Sequence, residues 1–400
     1  MNIKVSGLRS GLNYNDQLNP ITGGFIEDIE KKLGDRLVMS DIADYDCDLK
    51  LIFIQSGGSE NLFLQNLDKL KEPYYLLTNG SNNSLAASLE IMTYVTGKGC
   101  NGEILHGDID YIAGRIRTLA LTNQLKKKLS ETVFGVMGKP SDWLIASVPS
   151  YDDVTKKLGI TFKDISLEEV KQEFQKALLV NKDLLTGPFD DSEKTKALRT
   201  YGALKTISDR YGLSGFTIRC FDLLEPLATT GCVGLALLND EGVTAACEGD
   251  IAALISMHIV RLLTGQASFQ ANPSRISPAD NTAVLAHCTI PLHMTKDLRL
   301  DSHFESGTGV AIKGFLKEED VTIFRLSADL KSFFVSDGTI IKNLDEPDLC
   351  RTQILVKFKE DVSEILRKPC GNHHIVFYGH HADDIRSVMK SLLMDEKIYV

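Results

Sequence analysis

No phosphate loop occurs in this chain. Neither GxxxxGKS/T nor GxGxxG is present, so nothing in the sequence supports nucleotide binding. No CxxC pair occurs either. The eight cysteines (Cys47, Cys100, Cys220, Cys232, Cys247, Cys288, Cys350 and Cys370) are scattered, and a chain of 400 residues needs no covalent staples. They read as reduced thiols, and Cys247 and Cys288 fit small buried hydrophobes. An excess of positive charge is missing too. The net charge of −10 excludes a general nucleic-acid or anionic-membrane surface, which needs clustered Lys and Arg. The one basic run, Lys126-Lys127-Lys128, reads as the solvated end of a helix. No apolar stretch reaches the roughly 18 residues of a membrane-spanning helix. The opening MNIKVSGLRSG has no apolar core of signal-peptide length. The expectation is a cytoplasmic protein with neither nucleic-acid nor membrane partners. Internal repeats, low-complexity tracts and Pro-rich linkers are also lacking.

What is present is ordinary for a globular protein. Apolar residues make up 43% and charged residues 24%, and the length points to two or three domains. The first third alternates. Strands at Asn2–Val5, Leu49–Gln55 and Tyr74–Thr78 are separated by helical patterns at Gly23–Leu33, Glu60–Leu70 and Leu85–Val95. Such alternation implies a parallel sheet with helices on its faces. The polar loops after Gln55 and Thr78 then fall at carboxyl ends of strands, where functional groups gather. A long helix at Ile112–Leu129 leads to a second α/β unit, starting at the strand Thr132–Met137. Helical periods follow at Ser166–Leu179, opening with capping-box spacing, and at Ser192–Tyr211. Gly215–Cys220 is a strand, Val233–Leu238 a short apolar strand-like run, and Asp250–Leu263 a helix. Beyond about residue 280, short strands are expected at His287–Pro291, Gly309–Phe315, Asp320–Leu326, Lys331–Asp337, Ile354–Lys359 and His374–Tyr378. Ala382–Leu393 closes the chain as a helix. The expected fold is α/β: two Rossmann-like parallel-sheet α/β domains followed by a β-rich, barrel-like C-terminal domain. The boundaries are 1–130, 131–264 and 265–400.

Three residues carry the chemistry. Glu248 lies among small neighbours (Ala245, Ala246, Gly249) that leave room for a ligand; it also fits a helix N-cap or a first-turn acid. His287 follows the apolar run Ala283–Ala286, and alone it also fits a core histidine. His373 and His374 open the strand at Ile375–Tyr378. Neighbours on a strand face opposite ways, so only one of the pair can face a given site. His374 is taken for that role and His373 as a supporting or substrate-binding group. His380 and His381 read as surface residues, with a loose metal-binding tract as the alternative. A carboxylate and separated imidazoles suit a divalent cation such as Mn²⁺ or Mg²⁺.

LLNDEG followed by AACEGD, then a TG, an SP, AHC and GNHHIVFYG resembles successive signatures of the L-fucose/L-arabinose isomerase family. The likeness covers roughly residues 230–290 and 370–380. GKPSDWLIAS at the start of the second unit is similar to relatives of this architecture, and Gly7-Leu8-Arg9 to a sugar-holding Gly-x-Arg. The resemblance implies a metal-dependent aldose–ketose isomerase working on a small sugar through an ene-diolate. It implies Glu248 as metal ligand and catalytic base, and His287 and His374 as ligands. It further implies a homo-oligomer with sites near subunit interfaces. Arg9, Trp143, Asn372 and His373 are then candidate sugar contacts, and Arg9, Trp143 and the loops after Gln55 and Thr78 candidates to reach a neighbouring subunit. The family's second acidic residue falls, without gaps, on Asn272, and no Asp or Glu lies between Asp250 and Asp280. An amide offers a metal one neutral oxygen and accepts no proton at pH 7. The alternative is therefore a sugar-binding or repurposed paralogue with reduced or no isomerase activity.

Overall fold

The computed structural model describes residues 1–11, 18–177, 185 and 187–393. The chain divides into two compact units, one formed by Met1–Gln124 with the chain from Ser387 onward, the other by Leu125–Arg386.

In the first unit, β1 (Ile3–Leu8), β2 (Leu37–Met39), β3 (Leu49–Ile54), β4 (Tyr74–Thr78) and β5 (Gly102–Leu105) form one sheet in the order β2-β1-β3-β4-β5. All its pairings are parallel. The central strand β3, LKLIFI, is buried throughout, as expected where helices cover both faces of a sheet. The expected helix over Glu60–Leu70 breaks into Glu60–Gln65 and a 3₁₀ turn at Leu67–Lys69. Asn66 sits at the break, and its Nδ2 donates to the Leu62 carbonyl.

The second unit holds the four-stranded sheet β7-β6-β8-β9, built from β6 (Val133–Met137), β7 (Thr161–Ile165), β8 (Gly215–Ile218) and β9 (Thr244–Ala246). This sheet is parallel as well. The capping-box reading at Ser166 is realised: its hydroxyl accepts from the Glu169 N–H, and the helix runs Leu167–Lys176. The expected extension to Leu179 passes outside the described residues. A closed barrel follows, in the order β10-β11-β16-β15-β14-β17. Its strands are β10 (Phe269–Ser277), β11 (Thr282–His287), β14 (Asp320–Leu326), β15 (Phe333–Asn343), β16 (Thr352–Phe358) and β17 (His374–Tyr378). Every pairing within it is antiparallel. A separate hairpin joins β12 (Thr295–Asp301) to β13 (Ala311–Leu316). Parallel α/β sheets plus a C-terminal antiparallel barrel are the expected fold class.

Helix Ile251–Thr264 ties this unit together. Its first ten residues are all buried, and it packs against β8, β9, β14 and β17. A helix apolar on every side has to be enclosed, and this one lies between the parallel sheet and the barrel. One strand expectation fails. Val233–Leu238 belongs to helix Cys232–Asp240, whose residues Cys232–Asn239 are all buried. An enclosed helix and an enclosed strand read alike as a short apolar run, so periodicity cannot separate them. Gly234 lets this helix approach helix Asp191–Tyr211: a Cβ there would stand 3.3 Å from the Tyr201 Cα. The strand expected at His287–Pro291 is also displaced, since β11 ends at His287. β12 gave no signal in the sequence.

Candidate active site

Glu248 stands just beyond the carboxyl end of β9, where parallel sheets place functional groups. Its φ of 64° is left-handed, uncommon for a residue with a Cβ and most frequent at functional sites. Gly249 follows at φ 73°, and a Cβ there would lie 2.6 Å from the Pro140 Cα. The Glu248 carbonyl accepts from the Ser141 N–H at 3.0 Å. Cys247 donates its N–H to Gln270 Oε1 at 2.8 Å. The turn is thus held from both sides. The capping role goes to Asp250 rather than Glu248: its Oδ1 accepts from the Ala253 N–H at 2.7 Å. That leaves the Glu248 carboxylate free for the site.

The structure brings Glu248, His287 and His373 together. One ligand atom from each lies within 4.8 Å of the others, and all three residues are buried. Glu248 Oε1 is 3.6 Å from both His287 Nε2 and His373 Nε2. The two imidazole centroids are 5.3 Å apart. Trp143, 51% exposed, donates its indole N–H to Glu248 Oε2 at 2.8 Å.

Behind His373 lies a buried ionic chain. Its Nδ1–H donates to Asp250 Oδ2 at 2.8 Å, which turns Nε2 toward Glu248. Asp250 meets Arg325, whose side chain is 0% exposed, at 3.2 Å. Arg325 also donates to Ser147 Oγ at 3.0 Å and to the Cys370 carbonyl at 3.2 Å. A hydrogen-bonded carboxylate behind a histidine fixes its tautomer and ring orientation, the usual arrangement behind a metal-binding imidazole.

The charges follow from this packing. Burial works against ionisation of Glu248, but the two imidazoles outweigh it and hold the carboxyl well below its usual range. Burial likewise opposes charge on Asp250, and Arg325 and His373 overcome it. Burial also disfavours the charged form of His373, yet Asp250 and Glu248 raise it to about 9.

Among the described residues, four buried acceptor or donor atoms here have no hydrogen-bond partner: His287 Nδ1 and Nε2, His373 Nε2 and Asn272 Oδ1. Orphaned buried polar atoms are costly and rare. Three of these four belong to the two histidines of the cluster, and the donor set of one carboxylate oxygen and imidazole nitrogens suits a divalent cation. The buried Glu248–His287–His373 group can therefore bind a metal ion. Asn272 pairs with Ala286 across the β10–β11 ladder, next to His287.

The histidine chosen from sequence is not the one that arrives. His374 pairs with Ala271, donates Nδ1–H to the Asn372 carbonyl at 3.0 Å and packs its ring 5.7 Å from Phe334. Burial lowers it to about 4. The alternation rule held that only one of the pair faces the site; the chain just before β17 presents His373. Asn372 is exposed. Arg9 follows β1 in the first unit. His380 is exposed and bonds Asp320 at 2.9 Å. Sequence reasoning passed over Asp250 and Arg325. Both left signals: an Asp directly before a long apolar helix, and a lone Arg within the apolar run VTIFRL.

No family model matches the chain. It is similar to the sulfoquinovose isomerase of Clostridium sp. (strain MSTE9), 26% identical over 219 residues, which is 50% of this chain and 48% of that protein. It is also similar to the sulfoquinovose isomerases of Priestia aryabhattai and Priestia megaterium (strain ATCC 12872 / QMB1551). Each is 24% identical over 320 residues, covering 74% of this chain and 71% of the relative. The chain thus spans about half of the first relative and more than two thirds of the other two. At 24–26% identity the likeness is to proteins named as isomerases of a sugar, and it singles out no fucose or arabinose isomerase.

Proposed function

We propose that the protein is a metal-dependent aldose–ketose isomerase of a small sugar, acting as a homo-oligomer in the cytoplasm. The observation that carries this reading is the convergence of Glu248, His287 and His373 around unpaired nitrogen atoms. Glu248, His287 and His373 would hold the ion, Mn²⁺ or Mg²⁺, with the Asn272 carbonyl oxygen a further candidate. A bound ion of this kind polarises a carbonyl as a Lewis acid.

The side chains supply the rest. Moving a carbonyl between C1 and C2 requires a base that takes the proton from C2 and returns it to C1. Glu248 stays ionised and fits that role. The Trp143 N–H occupies Oε2 and fixes the carboxylate plane, so Oε1 is the oxygen turned to the imidazoles. Asn272 cannot accept a proton, which leaves a one-base route through Glu248.

The neutral amide at Asn272 also favours a second reading, a sugar-binding paralogue that keeps the fold without turnover. An aldose panel with added Mn²⁺ separates the two. Sulfoquinovose leads the panel because the matched relatives carry that name. L-Fucose and L-arabinose follow. Ketose formation that disappears in Glu248→Gln supports the isomerase. Sugar binding with no ketose from any aldose supports the paralogue.

A further inference from the structure

The loop between β12 and β13 holds a buried imidazole that the proposed chemistry does not use. His303 is 7% exposed. Its ring lies edge-to-face on Phe221, with centroids 5.3 Å apart. Phe221 lies in the same way on Trp143 at 5.1 Å, and Trp143 bonds Glu248. A continuous wall of three rings therefore runs from the Glu248 carboxylate to His303.

The loop is built rather than slack. His303 Nδ1 meets Ser306 Oγ at 3.0 Å, and the His303 carbonyl accepts from the Gly307 N–H at 2.8 Å. Arg351 donates to the Ser302 carbonyl at 2.7 Å and lies over the Phe304 ring. With Nδ1 occupied, His303 Nε2 has no hydrogen-bond partner among the described residues. Burial lowers His303 to about 4, against the opposing pull of the Glu248 charge. Glu305, two residues on, is raised by burial and by the Glu248 charge. Two side chains of one loop thus sense the same carboxylate. A neutral imidazole there can exchange hydrogen bonds with a hydroxyl without adding charge.

We propose that the His303 loop is the substrate-facing wall of the Glu248 site, and that His303 Nε2 hydrogen-bonds a hydroxyl group of the sugar. This rests on the isomerase reading and adds to it a residue that sets substrate affinity.

Trp143 is the only tryptophan, so its fluorescence reports on this wall directly. The test titrates wild type, His303→Phe, His303→Gln and Ser306→Ala first with Mn²⁺ and then with a panel of five- and six-carbon alditols. Phe keeps the ring on Phe221 but removes Nε2, whereas the Gln amide nitrogen reaches a similar position. The expected result is alditol affinity weakened about tenfold in His303→Phe, the size of one lost hydrogen bond. His303→Gln recovers most of it, Ser306→Ala loses a smaller part, and Mn²⁺ affinity is unchanged in all three. In turnover, His303→Phe raises KM more than it lowers kcat. Equal alditol affinity in wild type and His303→Phe overturns the proposal while leaving the isomerase reading intact. A wild type that answers Mn²⁺ but no alditol overturns the sugar reading, and this proposal with it.

Discussion

His373 Nδ1 lies 2.8 Å from Asp250 Oδ2, and Asp250 lies in turn 3.2 Å from a fully buried Arg325. The pair connects the N-terminus of the central helix to His373, the residue just before β17. Through it, the fold sets which nitrogen of His373 reaches Glu248.

Asp250→Asn tests that link. Asparagine keeps the helix cap but removes the charge. Metal affinity should fall 10–100-fold, roughly the range for losing the partner behind a metal-binding histidine. Arg325 would be left buried without its counter-ion, at a cost of about 3–5 kcal/mol. Calorimetric Mn²⁺ titration and thermal unfolding read the two effects separately. Unchanged metal affinity would remove Asp250 from the account of the site.

The two adjacent histidines give a second test. His373→Gln should abolish Mn²⁺ binding. His374→Gln should leave it within about threefold of wild type, because that ring is packed on Phe334 and bonded to Asn372 rather than to a ligand. The opposite pattern would restore the assignment made from sequence.

Much of the fold was legible because its signals are local. β4, β14, β17 and the last helix fall where the residue pattern places them, and Ser166 caps its helix as its spacing announces. Glu248 and His287 were visible through their small and apolar neighbours. The choice between His373 and His374 was not, because it depends on where β17 begins relative to Asp250, 123 residues away in sequence. The wall from Trp143 through Phe221 to His303 was equally hidden, since its three rings come from segments far apart in the sequence. Helix Cys232–Asp240 was missed because an enclosed apolar run carries no period of its own.

Asn272→Asp restores a carboxylate beside the proposed ion. Mn²⁺ affinity should rise, because an anion replaces a neutral amide whose Oδ1 is buried and unpaired. If two-base isomerisation is compatible with the site, ketose formation should rise with it. Identical calorimetric affinity in the variant and wild type would place Asn272 away from the ion.

Mild acid should destabilise the fold through a buried histidine. His258 bridges Thr132 Oγ1 at 3.1 Å and Thr244 Oγ1 at 2.9 Å, and burial, aided by the Arg261 charge, lowers it from 6.5 to about 4. Between those values the unfolded chain binds a proton that the folded chain refuses. The His258 contribution is therefore complete above pH 6.5 and falls as the pH drops toward 4, by up to about 3.5 kcal/mol at 1.4 kcal/mol per unit. His303 and His374 are lowered as well and act in the same direction. Denaturant midpoints measured from pH 7 to 4 check this, and a flat profile would contradict it.

The most direct measurement is calorimetric Mn²⁺ binding across pH, in wild type, Glu248→Gln and His287→Gln. The account predicts one ion per chain in wild type and little or no binding in either variant. It also predicts affinity that climbs from pH 6 toward 9, because His373, raised to about 9, must release its proton to become a ligand. Wild type that binds no Mn²⁺ at any pH, or binds it equally well without Glu248 or His287, would contradict the account.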